Sequence, residues 1–181
     1  MSGEEGSVLE LVELIQRRAP EYLSLMTART DDEFEKAFDT LLEQAVIHLE
    51  TNKKNFSTLD EEGLSAALAG RMSIPGLSVS QEKNSNGHVD LTFEADHCTP
   101  MRRKLGEAKI YGGPAYHLKG LEQLLGRYTT GREGRGLLIV YFRKRDIAGL
   151  VRGLRTRMDK DLPLDQLASL RRQSLHGVAA S

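Results

Sequence analysis

Cysteine is nearly absent: the 181 residues hold Cys98 alone. That excludes an internal disulfide framework and, with no CxxC partner, a cysteine zinc site. Tryptophan is missing altogether, and Phe and Tyr number five each. With 5 Pro and 17 Gly the chain is neither collagenous nor of low complexity. No apolar run approaches the roughly 20 residues that a membrane helix needs. The first residues, MSGEEG, are acidic rather than the positive start of a secretory signal. A cytoplasmic protein with no membrane partner is the expectation. An excess of charge of one sign is lacking too, since 25 Lys and Arg face 26 Asp and Glu.

What is present, 39% hydrophobic and 28% charged residues, suffices for one well-packed domain, with or without an appendage. The near-neutral total conceals an asymmetry. Residues 1–70 contain 6 basic against 15 acidic residues, a net of −9, and residues 71–181 contain 19 against 11, a net of +8. A basic half can approach a polyanion while an acidic half stays in solvent, packs on the basic half or meets another partner.

The first third is helical by pattern. Ser7 with Glu10 and Thr30 with Glu33 form S/T-x-x-E capping boxes. The first helix stops before Pro20; the second carries Phe34, Phe38, Leu41, Leu42, Ala45, Val46 and Leu49 as one apolar stripe. A third helix is expected from Ser57 or Thr58 to the Pro75–Gly76 turn. Beyond it the period changes to two: a short strand at 77–79, then HVDLTF, then 105–111, broken by Gly112-Gly113-Pro114. Residues 115–128 read as a helix and GLLIVYF, 136–142, as a strand covered on both faces. Residues 146–158 form a basic helix, and a short one follows at 165–175. The fold class is α/β with a mixed α+β sheet. The segments divide as 1–56, an acidic helical extension; 57–145, the core; and 146–181, the basic C-terminal helices.

Chemistry concentrates in two of the strands. Glu107 and Lys109 are separated by Ala108 alone, so they share a strand face. If their strand pairs with HVDLTF as a hairpin, Asp90 comes beside Glu107, and the two carboxylates can hold a hard divalent cation, as Mg²⁺ prefers. Lys109 then reaches the water or phosphate at that site. The plain alternative is a solvent-facing Glu107–Lys109 ion pair. Glu61 shares the inward face of its helix with Leu64 and Leu68, but with Thr58 as N-cap it also fits the last position of a capping box. His88 falls on the same strand face as Asp90. Lys104 points to the opposite face, and Gly112-Gly113 lacks the Lys-Ser/Thr of a phosphate loop.

GHVD followed by GEAK, after a leading helix and before a helix and a buried strand, resembles the PD-(D/E)xK nuclease superfamily over roughly residues 57–145. Val89 stands where the family's proline, which is not a ligand, would be. The resemblance implies a restriction endonuclease-like αβββαβ core with an N-terminal helical extension and a C-terminal helical tail. It implies an Mg²⁺-dependent endonuclease that hydrolyses DNA phosphodiester bonds, with Mn²⁺ as substitute metal and antiphage defence as its setting. Asp90, Glu107, Ala108 and Glu61 would make the metal site and Lys109 would activate the attacking water. A repair or recombination nuclease such as a junction resolvase is the alternative, as is a non-cleaving module that binds nucleic acid or protein. Gln123 and Tyr128 are similar to the glutamine–tyrosine motif of the RecB-like branch. Their spacing puts them apart on a helix, whereas Gln123 and Arg127 share a face, so Gln123 is the expected catalytic member.

Arg102, Arg103, Arg127, Arg132 and Arg135 are the expected phosphate contacts, giving salt-dependent affinity without sequence preference. Few aromatics accompany them, which favours duplex DNA over a single strand. Residues 1–56 are expected to mediate a homodimer or contact with a regulatory protein.

Overall fold

Hydroxyl side chains start two of the helices. Ser7 caps α1 (Val8–Arg18) in a reciprocal capping box with Glu10, and Thr30 caps α3 (Asp31–Thr51) likewise with Glu33. Between them lies α2 (Pro20–Thr27). Pro20, read from the sequence as a stop, also begins this helix, because a residue without an N–H costs nothing at the first helical position. The computed structural model describes residues 7–81, 90–127, 136–143 and 146–161.

A short α4 (Lys53–Phe56) leads to α5 (Glu61–Met72). This helix starts later than Ser57 or Thr58. Its cap is Asp60, whose carboxylate accepts the Gly63 N–H at 2.8 Å. Glu61 is therefore the first residue of the helix rather than the last member of a capping box, and its side chain is released for other partners.

The sheet is mixed and has four strands in the order β1 (Ser78–Gln81), β2 (Leu91–Ala95), β3 (Arg102–Ile110) and β4 (Leu137–Tyr141). The first three are antiparallel; β4 runs parallel to β3 after the crossover helix α6 (Pro114–Arg127). Leu91 pairs with Gly106, so Asp90, one residue before β2, stands at the register position opposite Glu107. This is the hairpin alignment expected from the sequence, although Asp90 precedes the strand instead of lying within it. At its edge position β4 is half-buried along its whole length, not enclosed on both faces. The last element described is α7 (Ile147–Asp161), which packs on α6. The helix expected at 165–175 falls outside the described residues, as do His88 and Val89.

One sheet face buries Leu91 and Phe93 with Ala108 against Phe34, Phe38, Leu41 and Ala45 of α3 and Leu68 and Met72 of α5. Phe38 meets Phe93 edge-on at 5.3 Å. A single hydrophobic cluster thus spans the boundary expected between residues 56 and 57. Lys104 points into this face, as expected, where it pairs with Glu35 and lies over the Phe38 ring. The opposite face is covered by α6, where Gly120 lets the helix backbone approach Glu107 and Leu138. Among the described residues no helix is long and apolar enough to cross a membrane.

Candidate active site

β3 runs beyond β2 by four residues, Glu107 to Ile110, because β2 begins at Leu91. Two of the backbone N–H groups left exposed by that overhang are taken by carboxylates in place of a neighbouring strand. Ala108 N–H donates to Asp90 Oδ2 at 2.8 Å, and Ile110 N–H donates to Glu61 Oε2 at 2.8 Å. The pull of these donors fixes Asp90 and the first residue of α5 against the end of one strand. In a strand the N–H and C=O of one residue leave on the same side, so the Ala108 carbonyl faces the same edge.

Lys109 joins the group together. Its Nζ lies 3.1 Å from Glu107 Oε1, 3.2 Å from Asp90 Oδ2 and 3.5 Å from Glu61 Oε1. Four of the residues expected from the sequence, Asp90, Glu107, Lys109 and Glu61, therefore converge, and Ala108 supplies the backbone between them. Burial, the negative charge of Asp90 and that of Glu61 push the Glu107 carboxyl above its ordinary value, against the pull of Lys109. Burial alone would lower the Lys109 ammonium, but Asp90 and Glu107 outweigh it and hold the lysine charged.

Three carboxylates against one ammonium leave a formal charge of 3 − 1, or two negative charges. Such a donor set, oxygen-rich and short of positive charge, fits a hard divalent cation. Among the described residues no three His, Cys, Asp or Glu side chains are arranged as a ready metal cage; the carboxylates turn their oxygens toward Lys109 instead.

His117, Tyr141 and Ser65 surround this group and were not singled out from the sequence. His117 is fully buried on α6 and accepts the Gly112 N–H at 3.3 Å through Nε2. Burial pushes its pKa down, while Glu61 pulls it up. The signal was present: His117, Gly120 and Leu124 recur at helical spacing on the face toward the sheet. The Tyr141 hydroxyl lies 3.2 Å from that of Ser65, and burial raises the phenol to about 12.

The expected phosphate contacts fare differently. Arg102 is clasped inside the chain, donating to the Ala28 and Arg29 carbonyls, to Asp31 Oδ1 and to Cys98 Sγ. Its side chain is only 14% exposed. Arg103 donates to Glu94 Oε1 across the β2–β3 ladder at 2.7 Å. Arg102 is thereby turned inward to carbonyls and a carboxylate of its own chain, whereas Arg103 stays exposed beside Glu94. Gln123 and Arg127 belong to α6, but their side chains fall outside the described set, as do Tyr128, Arg132 and Arg135 entirely. Comparison with family models, curated proteins and solved structures finds no significant match, so the reading of this site rests on its own geometry.

Proposed function

We propose that the protein is a metal-dependent nuclease of the PD-(D/E)xK type that hydrolyses DNA phosphodiester bonds. The observation that supports it is the convergence of Asp90, Glu107 and Glu61 on Lys109 at the overhanging end of β3. The order α5, β1, β2, β3, α6, β4, with three antiparallel strands and a parallel fourth, agrees with the αβββαβ core of that superfamily.

In this reading Asp90 and Glu107, with the Ala108 carbonyl and Glu61, would hold Mg²⁺ or Mn²⁺. When bound, the ion supplies Lewis-acid polarisation of a phosphoryl oxygen and a lowered pKa for water. Lys109 has two tasks. Its ammonium keeps three carboxylates together in the resting protein, and when a phosphate enters it orients the attacking water and offsets the charge that grows on the non-bridging oxygens. Glu61 is held by the Ile110 N–H, so one oxygen stays directed at Lys109 while the other is fixed. Antiphage defence remains the proposed setting, with a branched-DNA repair nuclease as the alternative.

The test is cleavage of supercoiled plasmid and of branched and linear oligonucleotide duplexes in Mg²⁺ or Mn²⁺. Nicking that disappears with chelator and in Lys109→Ala and Asp90→Asn supports the reading. Wild-type protein that binds DNA but stays inert across metals and substrates favours a non-cleaving module.

A further inference from the structure

Immediately beyond the carboxylate group the chain gathers aromatic rings that are scattered in sequence. Tyr111 continues β3, its N–H bonded to the Tyr141 carbonyl at 3.0 Å. Being two residues past Lys109, it lies on the same strand face, about 7 Å further along. Its ring stacks on Phe142, with centroids 4.7 Å apart and planes at 27°, and on His117, at 5.4 Å and 21°. Tyr116 meets His117 edge-on at 5.4 Å and is 47% exposed. Phe142 is half-buried and ends the stack: no further ring lies on it among the described residues. Arg143, exposed, follows directly.

Among the described residues the stack ends at a half-buried ring, with an exposed cation next in the chain. The rings are also held in advance. Gly112 lies so close beneath Tyr116 that a Cβ there would sit 3.1 Å from the ring, and the Gly112 N–H bond fixes His117.

We infer that Phe142, as the outer ring of the Phe142–Tyr111–His117 stack, with Tyr116 at its edge, is a platform for an unpaired base, so that the strand entering the carboxylate site is single-stranded there. This rests on the nuclease reading and names its substrate class: a single strand, flap or frayed end, not the interior of a continuous duplex. A base inside a duplex has both faces covered by its neighbours, whereas an unpaired base has a face to give to an aromatic ring. Arg143 then meets the phosphate next to the stacked base.

The test measures binding of fluorescently labelled single-stranded and blunt duplex DNA of the same sequence to the full chain, in chelator so that nothing is cut. Affinity of Phe142→Leu, which keeps apolar volume without a ring, should fall about tenfold for the single strand and stay unchanged for the duplex, as loss of one stacked base predicts. Tyr116→Ala, on an exposed side chain, should weaken single-strand binding several-fold and keeps the test alive if Phe142→Leu does not fold. A 2-aminopurine base in the bound strand should be quenched by wild-type protein and less so by either variant. Single-strand affinity unchanged in both variants, or blunt duplex bound as tightly as single strand, overturns the platform and leaves the nuclease reading standing. Binding of neither DNA overturns both.

Discussion

Glu107 is almost fully buried, at 3% exposure, and its raised pKa has a consequence for stability. A carboxyl whose folded pKa lies above its ordinary 4.5 favours folding fully below that value, and the contribution is lost as pH rises through the folded pKa. At pH values above the ordinary pKa the carboxyl therefore costs stability relative to a neutral side chain. Glu107→Gln, which mimics the neutral form, is expected to abolish cleavage yet raise Tm at pH 7 by roughly 2–4 °C, the effect of about 1 kcal/mol in a chain of this length. A melting curve with Tm lowered at pH 7 would contradict the burial argument. His117 works in the other direction. Its folded pKa lies below the ordinary 6.5, so its stability is complete above that value and is lost as pH falls through the window below it. Tm of wild-type protein should decline as pH drops from 6.5, and His117→Gln, which cannot gain a proton, should flatten that limb.

At the scale of elements, the polar clasp on β3 and the aromatic contact of α3 do different work. Arg102 ties the α2–α3 junction to β3 through two carbonyls and Asp31. Arg102→Met leaves those acceptors without their donor and is expected to destabilise by about 1–3 kcal/mol, measured as a lowered urea midpoint. DNA affinity per folded molecule should stay within about twofold, because an internally paired guanidinium releases few counterions. A large loss of affinity with an unchanged midpoint would return Arg102 to the nucleic-acid surface. Phe38 is fully buried against Phe93. Phe38→Ala is expected to cost about 3–5 kcal/mol, enough to unfold a marginal protein, since the cavity would open between α3 and the sheet.

Across the whole molecule, the acidic first third divides in two. No residue of α1 is buried, and Val8, Leu9 and Leu11 are exposed, whereas α3 is part of the only large cluster among the described residues. Removal of residues 1–18 should leave stability within about 0.5 kcal/mol. Removal of residues 1–56 strips Phe34, Phe38 and Leu41 from Leu91 and Phe93 and should give aggregated or unfolded protein, read by circular dichroism and light scattering. A cooperative melt from the second truncation would show that residues 57–161 hold a core of their own. The balance of charge acquires a structural meaning here: Asp31 and Glu35, from the acidic third, meet Arg102 and Lys104 of the basic part. Part of the charge asymmetry is thus consumed inside the fold.

Short-range rules determined what the sequence shows by itself. The capping boxes of Ser7 and Thr30, the apolar stripe of α3, the two-residue period of β2, and the shared face of Glu107 and Lys109 all follow from contacts within a few residues or from strand alternation. So does the orientation of Lys104 away from the site, whereas β3 is buried on both faces over residues 104–108. Features that depend on competition between distant partners were decided by tertiary structure. Asp60 caps α5, and the Glu61 carboxylate left out of a capping box is taken by the Ile110 N–H 49 residues away. Arg102 reads as a surface cation until the α2–α3 junction presents carbonyls to it. Tyr111, His117 and Phe142 are unremarkable in order along the chain and become a stack only when β4 pairs parallel to β3 and α6 crosses between them. Periodicity is a property of a single element; which donors a carboxylate meets, and which rings touch, depends on where the other elements end.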